Sequence, residues 1–468
     1  MDLWRITYIS DDKNNVLNQL YSIEMNETFD EYMDLWKELK GTVSLSTNYS
    51  SEFASYRLIT IHWCRQDSCV RPPFATIPSN GIYIMIYPSD SSKMAFSTLG
   101  FLKDAWKNKI PTWGSFIDNK MGKLYYDSSI SSSSFLLDLI CMFNAELCDQ
   151  KDVESIGQIE LLIYPSSRTM IAKIVWKLRL KSLNWDTYSR SLQNTSARVE
   201  IGLLEPISDA NRRIKYLWRR AILGQFNVLE PYTTFLSNGY LDKFYIHSEV
   251  TSSKGFHRKI RSRITAVPEL QTDACSLYIL YTLSKFVYVD KYQLQDLVDF
   301  NIGNLKKIHF IRGEANLEAA SWQLDKWGSL VLVEASTHQN GSFFVDLPIH
   351  LRYYSPMKSK FHTFSLSPPI SFYFCESLQD TTASESPFSS SWDLFHEYFT
   401  KNGTFYFLNH SDQGYSTSMT IHMPVLGTDH ILFIQIGTFS MIMICFLYIL
   451  AKIITAYQRQ RIFRHKIN

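Results

Sequence analysis

Apolar and polar positions alternate over much of this chain, and a period of two predicts strands. Residues 171–181 set Ile174, Trp176, Leu178 and Leu180 on one side and Lys177, Arg179 and Lys181 on the other, the pattern of a half-buried strand. Residues 56–63 and 81–87, rich in Ile and Tyr between Pro, Ser and Asn clusters, also read as strands. The best strands of the second half are residues 322–334 and 343–354, parted by a polar turn at Asn340 and Gly341. Two segments read as helices. Residues 28–40 (TFDEYMDLWKELK) carry acids early and lysines late, the order a helix dipole favours, and residues 211–226 (NRRIKYLWRRAILGQF) look helical and basic, marking a seam between halves. Ser-rich residues 127–134 and 378–391 are expected as surface loops.

Near the end the pattern changes. Residues 431–451 run apolar with only Gln435, Thr438 and Ser440 as mild interruptions, and about 20 such residues span a hydrocarbon core. Lys452, Arg459, Arg461, Arg464 and Lys466 follow, whereas Asp429 and His430 precede, so the positive-inside rule puts the tail in the cytosol and the bulk across the membrane. Residues 1–10 show no signal-peptide pattern, which keeps a tail-anchored topology with a cytosolic bulk as the alternative.

Cysteines and sequons agree with the first topology. Cys445 lies in the helix, leaving Cys64, Cys69, Cys141, Cys148, Cys275 and Cys375 for up to three disulfides in unspecified pairing; without a CxxC pair, no metal site is expected. N-x-[ST] sequons begin at Asn26, Asn48, Asn194, Asn340, Asn402 and Asn409. The expected fold is mainly β: β-sandwich-like lumenal domains with a few short helices, plus one C-terminal transmembrane helix. The divisions expected are residues 1–228, a mixed β region; 229–428, a β-rich domain; 431–451, the membrane helix; and 452–468, the tail.

A net charge of +2 gives no bulk attraction to nucleic acid, so none is expected as a partner. GxSxG, HExxH, Walker and Gly-rich dinucleotide motifs are all missing, which argues against an enzyme and against a cofactor. Two clusters remain. In DLPIHLRYY (346–354), strand periodicity puts Leu347, Ile349, Leu351 and Tyr353 on a core face and His350 with Arg352 on the other, available to a partner or to an internal polar network. Pro348 has no amide hydrogen, so the strand begins there or lies at an edge. GFHRKIRSRI (255–264) puts Lys259, Arg261 and Arg263 on one face, for lipid phosphates, an acidic partner loop or solvent.

These clusters resemble the PIG-X family, including its fungal members. The pieces occur in family order: GFHR at Gly255, Phe256, His257 and Arg258; VDKYQL at 289–294, similar to the family's VDPYEL and containing Asp290; DLPIHLRY at 346–353, containing Asp346, Pro348, His350, Arg352 and Tyr353; then Pro368, Pro369, Cys375 and a C-terminal membrane helix. Lys291 and Gln293 depart from that pattern, and the likeness covers about half the chain. The resemblance implies a non-catalytic subunit of the endoplasmic reticulum mannosyltransferase I of glycosylphosphatidylinositol (GPI) synthesis. Its implied partners are membrane lipid and a multi-spanning catalytic mannosyltransferase subunit of PIG-M type, which takes mannose from dolichyl phosphate mannose. A general lumenal folding factor or cargo receptor is the alternative, favoured by the long N-terminal region outside the matching motifs.

Overall fold

A computed structural model describes residues 3–10, 28–44, 56–65, 81–88, 113–119, 122–128, 156–182, 198–208, 214–223, 228–229, 233–236, 239–251, 255–265, 267, 270, 274–337, 341–376, 398–399, 403–410 and 419–465. One sheet contains β1 (Leu3–Ser10), β2 (Thr28–Ser44), β3 (Tyr56–Cys64), β4 (Gly81–Pro88), β5 (Ile117–Asn119), β6 (Gly122–Asp127), β7 (Ile156–Tyr164), β8 (Thr169–Ser182), β9 (Arg198–Ser208), β10 (Ile214–Leu223), β11 (Val228–Leu229) and β12 (Thr233–Leu236). Its order is β11-β10-β9-β1-β2-β8-β7-β3-β4-β6-β5, with β12 also on β10.

The other strands are β13 (Gly239–Thr251), β14 (His257–Thr265), β15 (Cys275–Ser284), β16 (Val287–Tyr288), β17 (Leu305–Gly313), β18 (Gly328–Ala335), β19 (Ser342–Leu351), β20 (Phe361–Leu366), β21 (Ile370–Glu376), β22 (Gly403–His410) and β23 (Met419–Pro424). The second sheet runs β16-β19-β14-β13-β22-β21-β15-β18-β17, and β20 pairs with β23 as a separate ribbon. Helix α1 (Lys291–Asp299) follows β16, and α2 (Ile431–His465) ends the described chain.

The β class and the terminal helix are as expected; the two predicted helices are not. Residues 28–40 lie in β2, which pairs with β1 over residues 35–41 and with β8 at Thr28 and over residues 33–44, and residues 214–223 form β10, antiparallel to β9. Alternation at Met33, Leu35 and Leu39 outweighs the charge order, because a strand between two neighbours gains a ladder on each side. Residues 322–334 also differ: a 3-10 turn at Ser321–Gln323 precedes β18. The expected strand at 171–181 lies within β8, but residues 172–175 are buried on both faces, Lys173 included. Ser128 forms a turn after β6; the rest of the 127–134 segment and all of 378–391 lie outside the described residues.

Two cores result. One face of the second sheet collects Ile260, Leu347 and Ile349 from β14 and β19 together with Leu277, Ile279, Val331 and Val333 from β15 and β18. Strands far apart in the sheet order share one core, so the sheet curls over itself in the manner of a sandwich. The ribbon adds Leu366, Met419, Ile421 and Met423. On the outer face, Tyr278, Leu280, Phe372, Phe374, Phe405 and Phe407 pack against Leu58, Tyr83, Met85, Leu124 and Leu162 of the first sheet. Trp327 Nε1 donates to the Leu124 carbonyl at 3.1 Å, adding a polar tie across this contact. Burying each such aromatic stabilises the joint by roughly 1.5–3 kcal/mol. The first sheet covers the outer face over β15, β18, β21 and β22, while β14 and β19 present mainly charged and polar side chains there, with Phe344 and Pro348 among them.

Candidate functional site

The three matching sequence pieces meet at one place, the β16–β19–β14 edge beside α1. Strands β14 and β19 pair antiparallel with His257 opposite His350, Lys259 opposite Pro348 and Arg261 opposite Asp346. Strand β16 adds Tyr288 opposite His350 and Val287 opposite Leu351. The outer side of β19 is otherwise met by the Asp346 amide donating to the Gly303 carbonyl at 3.2 Å. Pro348 falls between those two contacts, where its missing amide hydrogen leaves no gap in a ladder, much as the sequence predicts for an edge. Gly303 has a φ of 74°, and a Cβ there would stand 3.2 Å from the Asp346 carbonyl oxygen, so this close approach favours glycine.

On the outer face Asp346 is clamped. Arg261 donates through Nε and Nη2 at 2.8 and 2.9 Å, and Lys259 Nζ lies at 2.7 Å. The Arg261 hydrogen bonds, assisted by Lys259, hold the Asp346 carboxyl below the usual carboxylate range. Two cations of the basic stripe therefore serve an internal carboxylate, while Arg263 is exposed and bonds Ser342. The Arg261 guanidinium also covers the half-exposed Phe344 ring.

Beside this clamp lies an imidazole pair. His257 meets His350 edge-on with centroids 4.8 Å apart, Tyr288 stacks on His350 at 5.1 Å, and His350 Nε2 lies 2.9 Å from Gln293 Oε1 of α1. Burial lowers the His350 pKa, and His257 reinforces the shift, so the ring is neutral at pH 7. Asp290 starts α1: its side chain accepts from the Tyr292 and Gln293 amides at 2.8 and 3.5 Å, a helix N-cap. Thus the VDKYQL piece positions Gln293 against DLPIHLRY.

Arg352 and Tyr353 exchange their expected places. Leu347, Ile349 and Leu351 are in the core as predicted, but β19 stops at Leu351 and the alternation stops with it. Arg352 is 2% exposed and Tyr353 is 65% exposed. The Arg352 guanidinium lies over Tyr288 at 4.5 Å and donates from Nη1 to the Ala319 carbonyl at 2.9 Å. The Arg352 side chain is thus buried rather than on the exposed face of the strand. Phe256 accepts the Leu351 amide and packs on Tyr353 at 4.9 Å; Gly255 turns the chain with a φ of 83°; Arg258 pairs opposite Ile349 in the ladder.

Sequence reasoning missed a second buried polar row, on the first sheet. The register places His62 opposite Glu160 and Glu160 opposite Lys173. Lys173 Nζ lies 3.5 Å from Glu160 and 4.0 Å from Glu38, with all four side chains buried. The signal was slight: charged residues at strand parity, scattered through long apolar runs.

Among the cysteines, Cys275 and Cys375 form a disulfide between β15 and β21, where they are opposite one another in register. Cys64 is also disulfide-bonded, and Cys445 is free. Cys69, Cys141, Cys148, Asn26, Asn48, Asn194, Asn340 and Asn402 lie outside the described residues; Asn409 is in β22. Among the described residues, no group of three or more His, Cys, Asp or Glu is arranged to hold a metal ion.

Residues 253–454, from the GFHR turn into α2, match the family model described as PIG-X / PBN1. Over this part, the chain is similar to the PIG-X / PBN1 family. A protein pbn1 from Emericella nidulans is 30% identical over 285 residues, 55% of this chain and 53% of that protein, so the chain spans about half the length of that relative. A protein pbn1 from Neurospora crassa is 24% identical over 72% of this chain and 70% of its own length. A protein PBN1 from Kluyveromyces lactis is 25% identical over 72% of this chain and 75% of its own. The likeness to these two exceeds the matched domain and so includes part of the first sheet's sequence.

Acid sensitivity of the fold is expected from three buried or half-buried histidines. Burial lowers the pKa of His62, His350 and His362. The unfolded chain then binds more protons below about pH 6.5, so this stability is complete above that value and is lost as pH falls toward the folded-state pKa values. Asp346, also depressed, acts in a lower window, near and below its unfolded value of about 3.9. The melting temperature of the full chain in detergent should fall between pH 7 and pH 5. Gln293→Glu puts a carboxylate against His350, raises its pKa and should flatten that fall; an unchanged slope would contradict the His350 assignment.

Proposed function

We propose that this chain is a non-catalytic, membrane-anchored accessory subunit in GPI-anchor biosynthesis that binds and stabilises the multi-spanning catalytic subunit of mannosyltransferase I. That enzyme adds the first mannose, from dolichyl phosphate mannose, to the GPI precursor. The observation that carries the reading is the convergence of the family's three sequence pieces on one edge of the second sheet, in the domain that leads into α2. The residues there form clamps, caps and stacks rather than an acid, base and nucleophile around an open cleft, which is what a docking scaffold requires. The one apolar helix of membrane-spanning length among the described residues also gives no enclosed intramembrane path for a lipid-linked sugar.

The proposed topology puts the N-terminal bulk in the endoplasmic reticulum lumen and residues 452–468 in the cytosol. The Cys275–Cys375 bond supports an oxidising compartment, and the basic residues after the apolar run support the orientation. Purification in mild detergent tests the role: one multi-spanning partner near equal stoichiometry is expected. Recovery of many secretory proteins instead would favour the folding-factor alternative.

A further inference from the structure

Helix α2 leaves the β domain with almost no linker. Strand β23 ends at Pro424, and α2 starts at Ile431 after a 3-10 turn at Thr428–His430. Three backbone hydrogen bonds tie this short passage to the segment before β20: Met357 N to the Leu426 carbonyl at 3.1 Å, Val425 N to Lys360 at 3.0 Å, and Thr428 N to Met357 at 3.3 Å. Residues 357–361 are therefore fixed at the depth where α2 begins. Helix α2 exposes large apolar side chains along its length, including Phe433 at 82%, with a mean hydropathy of 2.2 over its best window. Only a bilayer or another membrane helix covers such a surface.

Depth follows from the chain geometry. Residues 431–451 rise about 30 Å, matching the hydrocarbon core. Thr428 lies three residues outside, about 5 Å further on, within a headgroup layer roughly 5–7 Å thick per leaflet. The exposed face of the β20–β23 ribbon changes character toward that level. Far from α2 it carries Ser365 opposite Thr420, then Thr363 bonded to His422; at the end beside α2 it carries Phe361 opposite Pro424, with Phe361 54% exposed and Leu426 40% exposed. Lys358 and Lys360 flank them, both exposed. Aromatic and aliphatic groups beside lysines suit the bilayer interface, where rings sit at the headgroups and ammonium groups meet phosphate.

We propose that residues 357–361 and 425–428 form a rigid foot resting in the lipid headgroup layer, with Phe361 and Leu426 entering the interface and Lys358 and Lys360 meeting lipid phosphates. The foot fixes the tilt of the β domain over the membrane and hence the height at which the β14–β19 edge is held. It rests on α2 crossing the bilayer.

Photo-crosslinking of the full chain in phospholipid nanodiscs tests it. Phe361 is replaced by p-benzoylphenylalanine, with Phe344, exposed on β19, and Phe433, within α2, replaced in parallel. The expected result is severalfold more phospholipid adduct at position 361 than at 344, approaching that at 433. Adduct at 433 with no excess at 361 over 344 overturns the foot and spares the anchor, as it would if a partner protein rather than lipid covers this end of the ribbon. Absence of adduct at 433 defeats the membrane-anchored reading and the foot together.

Discussion

Leu351→Asp is expected to prevent the chain from accumulating as a folded protein. Leu351 is 4% exposed in the core of the second sheet, and its amide ties β19 to the Phe256 carbonyl. A carboxylate there faces an apolar layer in place of hydrogen-bond donors and cations, and burying it costs several kcal/mol, a large share of the roughly 5–15 kcal/mol that holds a domain folded. Arg352→Ala, one residue along, is expected to be milder. It loses the hydrogen bond to Ala319 and the stack on Tyr288, together about 2–4 kcal/mol, and leaves a void. Limited proteolysis should rank the variants as Leu351→Asp, then Arg352→Ala, then the unaltered chain. Arg352→Ala that resists protease like the unaltered chain, yet fails to co-purify with the membrane partner, would contradict the internal role assigned to this guanidinium.

Removing the Cys275–Cys375 bond should have the second large effect. The two residues are 100 apart in sequence, and in the chain-entropy account closing a loop of that length stabilises by about 4–5 kcal/mol. A Cys275→Ser, Cys375→Ser variant should therefore melt well below the unaltered chain, and a reductant should lower the melting temperature of the unaltered chain by more than that of the variant, which keeps the Cys64 bond. Equal melting temperatures for the two chains under oxidising conditions would show that the bond adds nothing to the fold.

Residues 56–63 and 81–87, rich in Ile and Tyr between turn clusters, and residues 346–351, with their alternation, all lie in paired strands. The sequence misled where charge order was read ahead of period. Residues 28–40 have acids before lysines, yet β2 lies between β1 and β8, and pairing on both sides decides the conformation. The site was half legible. Periodicity put Leu347, Ile349 and Leu351 inward, but could not show that the strand ends at Leu351, and that ending is what sends Arg352 inside and Tyr353 out. The clamp of Lys259 and Arg261 on Asp346 is a contact across 85 or more residues, and no local pattern contains it. Resemblance to a family brought the three pieces together in order; the fold supplies the reason they belong together, since GFHR and VDKYQL each touch DLPIHLRY at one sheet edge.

Mannose transfer in isolated microsomes tests the central claim most directly. Membranes depleted of this chain, supplied with dolichyl phosphate mannose and the glucosaminyl inositol lipid precursor, should show both less catalytic subunit and a loss of the first mannosylation. Both should return with the unaltered chain and not with Leu351→Asp. Full transfer by membranes that contain the catalytic subunit and lack this chain would contradict the account.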